Sequence, residues 1–248
     1  MTITDKIILA LRSALFYSLY VSTGAIQGFI CMFLPYLVPL KKRYGYITSW
    51  NRFIVWWLSV SVGIKVHIEG LENIPTTPIV VLSKHQSPWE TMFLLPRFNP
   101  LTVILKRELL RIPFFGSGLK SLNPIAIDRS SPKEAIKQVM NIGQERIKDG
   151  YSVLVFPEGT RINPGNIGNY ARSGAGLCVA TNTSAIFVAH NSGNCWPSHK
   201  FLKYPGIIKV KFSQPISPEG KTAKQLTDEA KLWIEDEVRK MGGRNTPI

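Results

Sequence analysis

The chain has 248 residues, of which 45% are hydrophobic, so it is long enough to bury a sizeable core and lacks the composition of a disordered or fibrous protein. Thirty Lys and Arg against 16 Asp and Glu give a net charge of +14, which indicates an anionic partner: a nucleic acid, an anionic membrane surface or a phosphorylated substrate. Three cysteines without CxxC spacing argue against a disulfide framework or a thiolate zinc site.

The first apolar segment is long enough to cross a bilayer. No charged residue occurs in the 28 positions between Arg12 and Lys41, and residues 13–34 would extend roughly 33 Å as a helix, about the thickness of a hydrocarbon core. Basic residues flank the segment on both sides, so the positive-inside rule gives no clear orientation. Spanning and dipping into one leaflet both remain open. The run continues past its small residues to Leu40, which argues against a cleaved signal peptide.

The second segment, residues 46–64, is aromatic but contains Asn51 and Arg52. Its uncharged remainder would reach only about 18 Å as a helix, too short to cross. Three of the six tryptophans fall here, which is typical of a segment at the headgroup boundary. We therefore predict that residues 1–64 form a membrane-docking helical pair and that residues 65–248 form a catalytic domain. A purely soluble helical pair is the alternative.

From residue 65 onward, short β-branched runs alternate with helical stretches. This pattern predicts an α/β fold whose mostly parallel sheet is flanked by helices. The predicted strands are residues 66–69, 79–83, 101–105, 125–128, 153–156, 185–189 and 207–212. The predicted helices are residues 88–95, 132–148, 174–181 and 223–241.

The segment PIVVLSKHQSPWET reads as a buried strand, a short loop and a helix start. Ser87 is a suitable N-cap residue, and Pro88 is favoured at the first helical position. Glu90 then occupies the third helical position and completes a capping box with Ser87. His85 then lies at the carboxyl end of a strand, where open α/β sheets place their ligands.

A carboxylate that folds back from Glu90 would orient the imidazole of His85 and leave its second nitrogen free as a base. The alternative is that Glu90 only caps the helix. The chain has no GxSxG, HExxH or GxxxxGK[ST] motif, so the simplest chemistry is activation of a hydroxyl on the substrate itself.

KHQSPWE resembles the NHxSxxD block of the glycerolipid acyltransferases, the family of the bacterial 1-acyl-glycerol-3-phosphate (lysophosphatidate) acyltransferases. The resemblance implies that His85 and Glu90 form the catalytic pair. Two positions depart from the family pattern, since Lys84 replaces Asn and Glu90 replaces Asp.

FPEGTR resembles the third block of the same family, and its residues leave the predicted sheet at the same edge as His85. Gly159 lets the backbone approach a ligand, and the guanidinium of Arg161 matches phosphate oxygens. We predict substrate contacts at Glu158, Gly159, Thr160 and Arg161.

LKRELLRIPFFG and IAIDR are similar to the second block, whose basic residues bind the glycerol phosphate. The resemblance implies phosphate contacts at Lys106, Arg107 and Arg129. AIFVAHNSG only partly matches the fourth block, and we assign no chemistry to His190, because a structural histidine is the simpler interpretation.

These resemblances imply that His85 takes the proton from the sn-2 hydroxyl of 1-acyl-glycerol-3-phosphate. That hydroxyl attacks an acyl thioester, either acyl-CoA or acyl carrier protein, to give phosphatidate. Backbone N–H groups near Ser87 would face the carbonyl oxygen. No metal or bound cofactor is implied. We expect a membrane lipid surface as a partner, no nucleic acid, and a location on the cytoplasmic side of a bacterial inner membrane.

Two alternatives stay open. The acceptor could be another lysophospholipid or lipid. The chain could also be a basic membrane-binding or nucleic-acid-binding module in which the His/Glu pair is only a helix cap.

Overall fold

The computed structural model describes residues 2–128 and 130–242. Within these ranges the helices are α1 (Ile3–Leu37), α2 (Leu40–Val62), α3 (Trp89–Leu94), α4 (Phe115–Lys120), α5 (Pro132–Lys148), α6 (Ser173–Thr181) and α7 (Ala223–Met241). The strands are β1 (Ile64–Glu69), β2 (Val80–Ser83), β3 (Leu101–Lys106), β4 (Ile125–Ile127), β5 (Ser152–Val155), β6 (Ala185–His190) and β7 (Gly206–Phe212).

The seven strands form one mixed sheet in the order β1-β7-β6-β2-β5-β3-β4. Every neighbouring pair is parallel except β6 and β7, which run antiparallel. The predicted fold class, a mostly parallel sheet flanked by helices, is confirmed.

Side chains alternate between two cores along the central strands, as the period of two in a strand requires. In β2, Val81 joins the core on the side of α1, α2 and α3, whereas Val80 and Leu82 join the core on the side of α5, α6 and α7. Strands buried on both faces explain the continuous apolar runs of the sequence.

The N-terminal helical pair packs on the first of these cores. A capping box between Thr2 and Asp5 starts α1 at Ile3, ten residues before the apolar segment predicted from the sequence, residues 13–34. Gly63 caps the C-terminus of α2, and its φ of 85° favours glycine. Among the described residues, one helix is long and apolar enough to cross a membrane, over Ile3–Leu34. α2 ends immediately before β1, next to the predicted domain boundary at residue 64.

Four neighbouring parallel strands, β2, β5, β3 and β4, end at the same edge of the sheet. The segments that follow them carry the residues singled out in the sequence. The fold therefore gathers these residues along one edge.

Candidate active site

His85 lies in the turn between β2 and α3. β2 ends at Ser83, and α3 begins at Trp89 after Pro88. Because His85 is outside the helix, it can approach Glu90 in the first helical turn. In one continuous helix these two side chains would point about 140° apart.

The side chains of His85 and Glu90 form a direct hydrogen bond. The distance from His85 Nδ1 to Glu90 Oε1 is 2.8 Å. An ionised carboxylate can only accept hydrogen bonds, so Nδ1 carries the proton and Nε2 presents its lone pair. The imidazole stacks on the ring of Phe156 with 3.9 Å between centroids and stays partly exposed, at 13%. This arrangement suits a base that faces an incoming hydroxyl.

Glu90 is fully buried, and the surrounding donors hold it as a carboxylate. Its Oε1 also accepts hydrogen bonds from the N–H groups of Gln86 and Ser87, each at 2.9 Å. Burial by itself would raise the pKa of Glu90. Electrostatic interactions with the His190 and His85 rings and the hydrogen bonds from His85 and Ser87 outweigh it, so the pKa lies below its ordinary value of 4.5.

These hydrogen bonds correct one expectation from the sequence. The sequence predicts that backbone N–H groups near Ser87 face the reacting carbonyl oxygen, but the N–H groups of Gln86 and Ser87 both donate to Glu90. That prediction is wrong for these two groups.

The main chain of His85 is held on both sides by the segment that follows β5. The N–H of His85 donates to Glu158 Oε2 at 2.9 Å, and the carbonyl of His85 accepts from the N–H of Ile162 at 2.8 Å. The FPEGTR segment therefore lies directly against the His85 turn.

The side chain of Glu158 is turned into the protein. It is fully buried, and its Oε1 accepts a hydrogen bond from Lys84 Nζ at 2.6 Å. The sequence predicts a substrate contact for Glu158, but both of its oxygens are used within the protein. The neighbouring Gly159, Thr160 and Arg161 are exposed instead, and Gly159 has a φ of 67° with open space where a Cβ would stand.

The basic residues of the predicted phosphate site lie at the ends of the neighbouring strands. Lys106 is the last residue of β3, and Arg107 follows it. Both are exposed. Hydrogen bonds from Ser130, followed by the charges of Arg107 and Lys106, lower the pKa of Asp128 just beyond β4. Arg129 lies outside the described residues.

Two polar side chains complete the site, His190 at the end of β6 and Ser192 just beyond it. Neither is among the site residues selected from the sequence. Ser192 Oγ donates to Glu90 Oε2 at 3.0 Å, and His190 Nε2 lies 2.8 Å from the carbonyl oxygen of Lys84. Burial lowers the pKa of His190 below 6.5, so its ring is a neutral donor to that carbonyl. Their position in the sequence could have identified them, because β6 is parallel to β2 and ends at the same edge of the sheet.

Among the described residues, no group of three or more His, Cys, Asp or Glu is arranged to hold a metal ion.

Comparisons with known proteins identify relatives of this chain. The model of the family described as Acyltransferase matches residues 65–193, which include every predicted site residue. A 1-acyl-sn-glycerol-3-phosphate acyltransferase from Pseudomonas aeruginosa is 43% identical over 231 residues, covering 92% of this chain and 90% of that protein. A chloroplast 1-acyl-sn-glycerol-3-phosphate acyltransferase from Arabidopsis thaliana is 29% identical over 220 residues, covering 85% of this chain and 57% of that protein.

The fold is also found in a solved structure. The crystal structure of the 1-acyl-sn-glycerophosphate acyltransferase from Thermotoga maritima matches with a TM-score of 0.81 at 23% identity, covering 97% of this chain and 99% of that one. This similarity bears on the fold alone. The family match over more than half of the chain, together with the Pseudomonas relative, shows that this protein is an enzyme of the acyltransferase family.

Proposed function

We propose that this protein transfers a fatty acyl group from an acyl thioester to the sn-2 hydroxyl of 1-acyl-glycerol-3-phosphate, giving phosphatidate. The observation that carries the proposal is the 2.8 Å hydrogen bond between His85 Nδ1 and a buried carboxylate, at a sheet edge that also carries exposed basic residues. The names of the Pseudomonas and Arabidopsis relatives support this choice of reaction.

In this mechanism, His85 Nε2 takes the proton from the acceptor hydroxyl as its oxygen attacks the thioester carbonyl carbon. When the tetrahedral intermediate collapses, the carbon–sulfur bond breaks and the thiolate takes the proton from the imidazolium. Glu90 keeps Nδ1 protonated and stabilises the positive charge that develops on the ring.

The acceptor phosphate would be bound by Lys106, Arg107 and Arg161, with Arg129 assigned on the sequence resemblance alone. The first three are exposed at or beyond the ends of neighbouring strands. Lys106 Nζ lies 3.7 Å from Glu108 Oε1, and both of these side chains are about half exposed. A guanidinium binds phosphate oxygens through two parallel hydrogen bonds, which gives orientation as well as affinity. Gly159 and Thr160, beside Arg161, would let the backbone approach the headgroup.

We further propose that the enzyme works at a membrane surface, with acyl-CoA or acyl carrier protein as the donor, on the cytoplasmic side of a bacterial inner membrane. The support is the long apolar helix α1, most of whose hydrophobic side chains are exposed. A lipid acceptor dissolved in the leaflet would meet the enzyme there.

The test is an acceptor panel with purified full-length protein and acyl-CoA. Lysophosphatidate, lysophosphatidylethanolamine and a monoacylglycerol are each offered, and both free thiol and the acylated product are measured. We expect kcat/KM to be at least about tenfold higher with lysophosphatidate than with the monoacylglycerol, because a charge-assisted phosphate contact contributes about 1.5–3 kcal/mol. Equal rates with the uncharged acceptor would contradict the proposal.

A further inference from the structure

Lys84 is a lysine in the protein interior. Its side chain has no exposed surface although it immediately precedes His85. Lysine is almost never fully buried unless it is paired, because removing an ammonium group from water is costly. The glycerolipid acyltransferase block that KHQSPWE resembles has asparagine at this position, so the charge also departs from the family pattern.

All three N–H groups of the Lys84 ammonium have acceptors. Nζ lies 2.6 Å from Glu158 Oε1, 2.8 Å from Glu235 Oε1 and 3.4 Å from the carbonyl oxygen of Asn166. Glu235 comes from α7, which follows the region matched by the family model. One buried cation therefore joins two carboxylates that are 77 residues apart in the sequence.

Each carboxylate has a second connection. Glu158 Oε2 accepts the N–H of His85 at 2.9 Å, and Glu235 Oε1 accepts the hydroxyl of Tyr170 at 2.7 Å. Burial and the hydrogen bond to Glu235 raise the pKa of Tyr170 above its usual range, so the phenol stays protonated and donates. A continuous chain of polar contacts runs from α7 through Lys84 and Glu158 to the main chain of His85.

The ammonium of Lys84 stabilises the two carboxylates that it joins. Glu158 and Glu235 both approach the same ammonium. Without Lys84, two carboxylates would face each other in the interior, where repulsion is screened only weakly. Glu158 would turn away or take up a proton, and its hydrogen bond to His85 would weaken in either case.

We propose that Lys84 and Glu235 are positioning residues that fix Glu158, and that Glu158 in turn holds the main chain of His85 in its reactive place. This inference rests on the proposed function, since it assigns His85 the role of base. It gives α7 a part in catalysis without any contact with the substrate.

The test compares Lys84→Met, Glu235→Gln and the double variant in full-length enzyme, with Lys224→Met as the matched control. Lys224 is exposed and forms its ion pair with Asp228 on the surface of α7. Values of kcat and of KM for both substrates are measured. We expect Lys84→Met to lower kcat at least about 30-fold with KM within threefold, because positioning of a base affects the chemical step. The Lys224→Met control should match the wild type.

The double variant separates positioning from a general loss of packing. Replacing Glu235 by the neutral Gln removes the second carboxylate that Lys84→Met leaves unpaired, so we expect the double variant to be more active than Lys84→Met. Losses that multiply as independent effects would overturn the proposal. If Lys84→Met does not fold, Glu235→Gln alone decides: a several-fold drop in kcat supports the proposal, and unchanged kcat overturns it.

Hydrogen–deuterium exchange of the peptide that contains His85 provides a readout without substrate. We expect faster exchange of this peptide in Lys84→Met and in Glu235→Gln than in the wild type and in Lys224→Met. Unchanged protection in both variants overturns the positioning role even if the wild type proves inactive on lysophosphatidate. A wild type that is inactive in the acceptor panel, with faster exchange in these variants, would overturn only the proposed function.

Discussion

At the level of single residues, one oxygen of Glu90 serves two purposes. Oε1 accepts the backbone N–H of Ser87, as a capping residue does, and also contacts His85 Nδ1. The second oxygen is held by Ser192. The cap and the orientation of the imidazole therefore depend on the same side chain.

Replacing Glu90 by Gln separates these two roles. The amide oxygen of Gln can still accept the backbone N–H groups, but it cannot stabilise an imidazolium. We expect kcat to fall about 10²-fold or more while the protein stays folded. The thermal midpoint should fall as well, because a neutral Gln loses the stabilisation of the ionised carboxylate at neutral pH. Glu219→Gln, on an exposed turn, is the control. A lower midpoint with unchanged kcat would mean that Glu90 is only a cap.

The buried pair Glu90 and His190 makes stability dependent on pH. The pKa of His190 is lower in the folded protein than its ordinary value of 6.5, which applies to the unfolded chain. Between the folded pKa and 6.5 the unfolded chain therefore binds more protons than the folded protein, and stability falls as the pH drops below 6.5. The folded pKa of Glu90 lies below 4.5, so its contribution is present above pH 4.5 and is lost as the pH falls further.

Urea unfolding at pH 7.5, 5.5 and 4 measures both effects. We expect the midpoint to decrease at each step. The first decrease should be smaller in His190→Asn, whose amide can still donate to Lys84, and unchanged in His67→Gln, whose side chain is exposed. A midpoint that stays constant between pH 7.5 and 5.5 would contradict this expectation.

At the level of elements, the sequence predicts most of the secondary structure. All seven strands and four of the helices are found near their predicted places, because strands buried on both faces read as apolar runs. Helix α4 is missed, since its six residues FGSGLK contain two glycines and show no helical period. The start of α1 is also missed, although Thr2 and Asp5 have the spacing of a capping box.

The predicted catalytic pair meets because both of its members lie in one short segment. The polar contact between Lys84 and Glu235 could not be predicted from the sequence. These two residues are 151 positions apart, and only the packing of α7 against the sheet brings them together. The inward turn of Glu158 follows from the same contact.

The exposed face of α1 is expected to bind membranes. The rings of Phe29 and Phe33 on this face contact each other. The ring of Phe29 also lies near Phe114, which precedes α4, with 6.4 Å between the ring centroids. Phe29→Asp/Phe33→Asp should reduce binding to vesicles of anionic phospholipid at least about tenfold, since burying one Phe contributes about 1.5–3 kcal/mol. Turnover of detergent-dispersed substrate should stay within about threefold of the wild type.

The control for this variant is Leu232→Asp, because Leu232 is exposed on α7, away from α1. Vesicle binding should be unchanged in this control. Equal losses in both proteins would mean that α1 has no special affinity for the lipid surface.

At the level of the whole molecule, the N-terminal helical pair is part of the core. Phe16 of α1 is fully buried, and its ring meets Trp196 edge to face at 5.0 Å between centroids. Ile54 and Leu58 of α2 belong to the same cluster as the sheet residue Ile186. The helices should therefore unfold together with the sheet.

Phe16→Ala tests this coupling. Removing a buried Phe typically costs about 3–5 kcal/mol, so we expect a loss of that size in the free energy of unfolding, with a single transition in urea. Phe33→Ala is the control, because Phe33 is half-exposed. Unchanged stability of the sheet in Phe16→Ala would show that the helices are a separate unit.

The turnover of His85→Ala tests the central claim most directly. With acyl-CoA and lysophosphatidate, we expect kcat to fall about 10²–10⁴-fold with KM within about threefold, because general-base catalysis contributes on this scale. His67→Ala, at an exposed histidine of β1, should retain wild-type turnover. A His85→Ala protein that retains more than about a tenth of wild-type kcat would contradict the account.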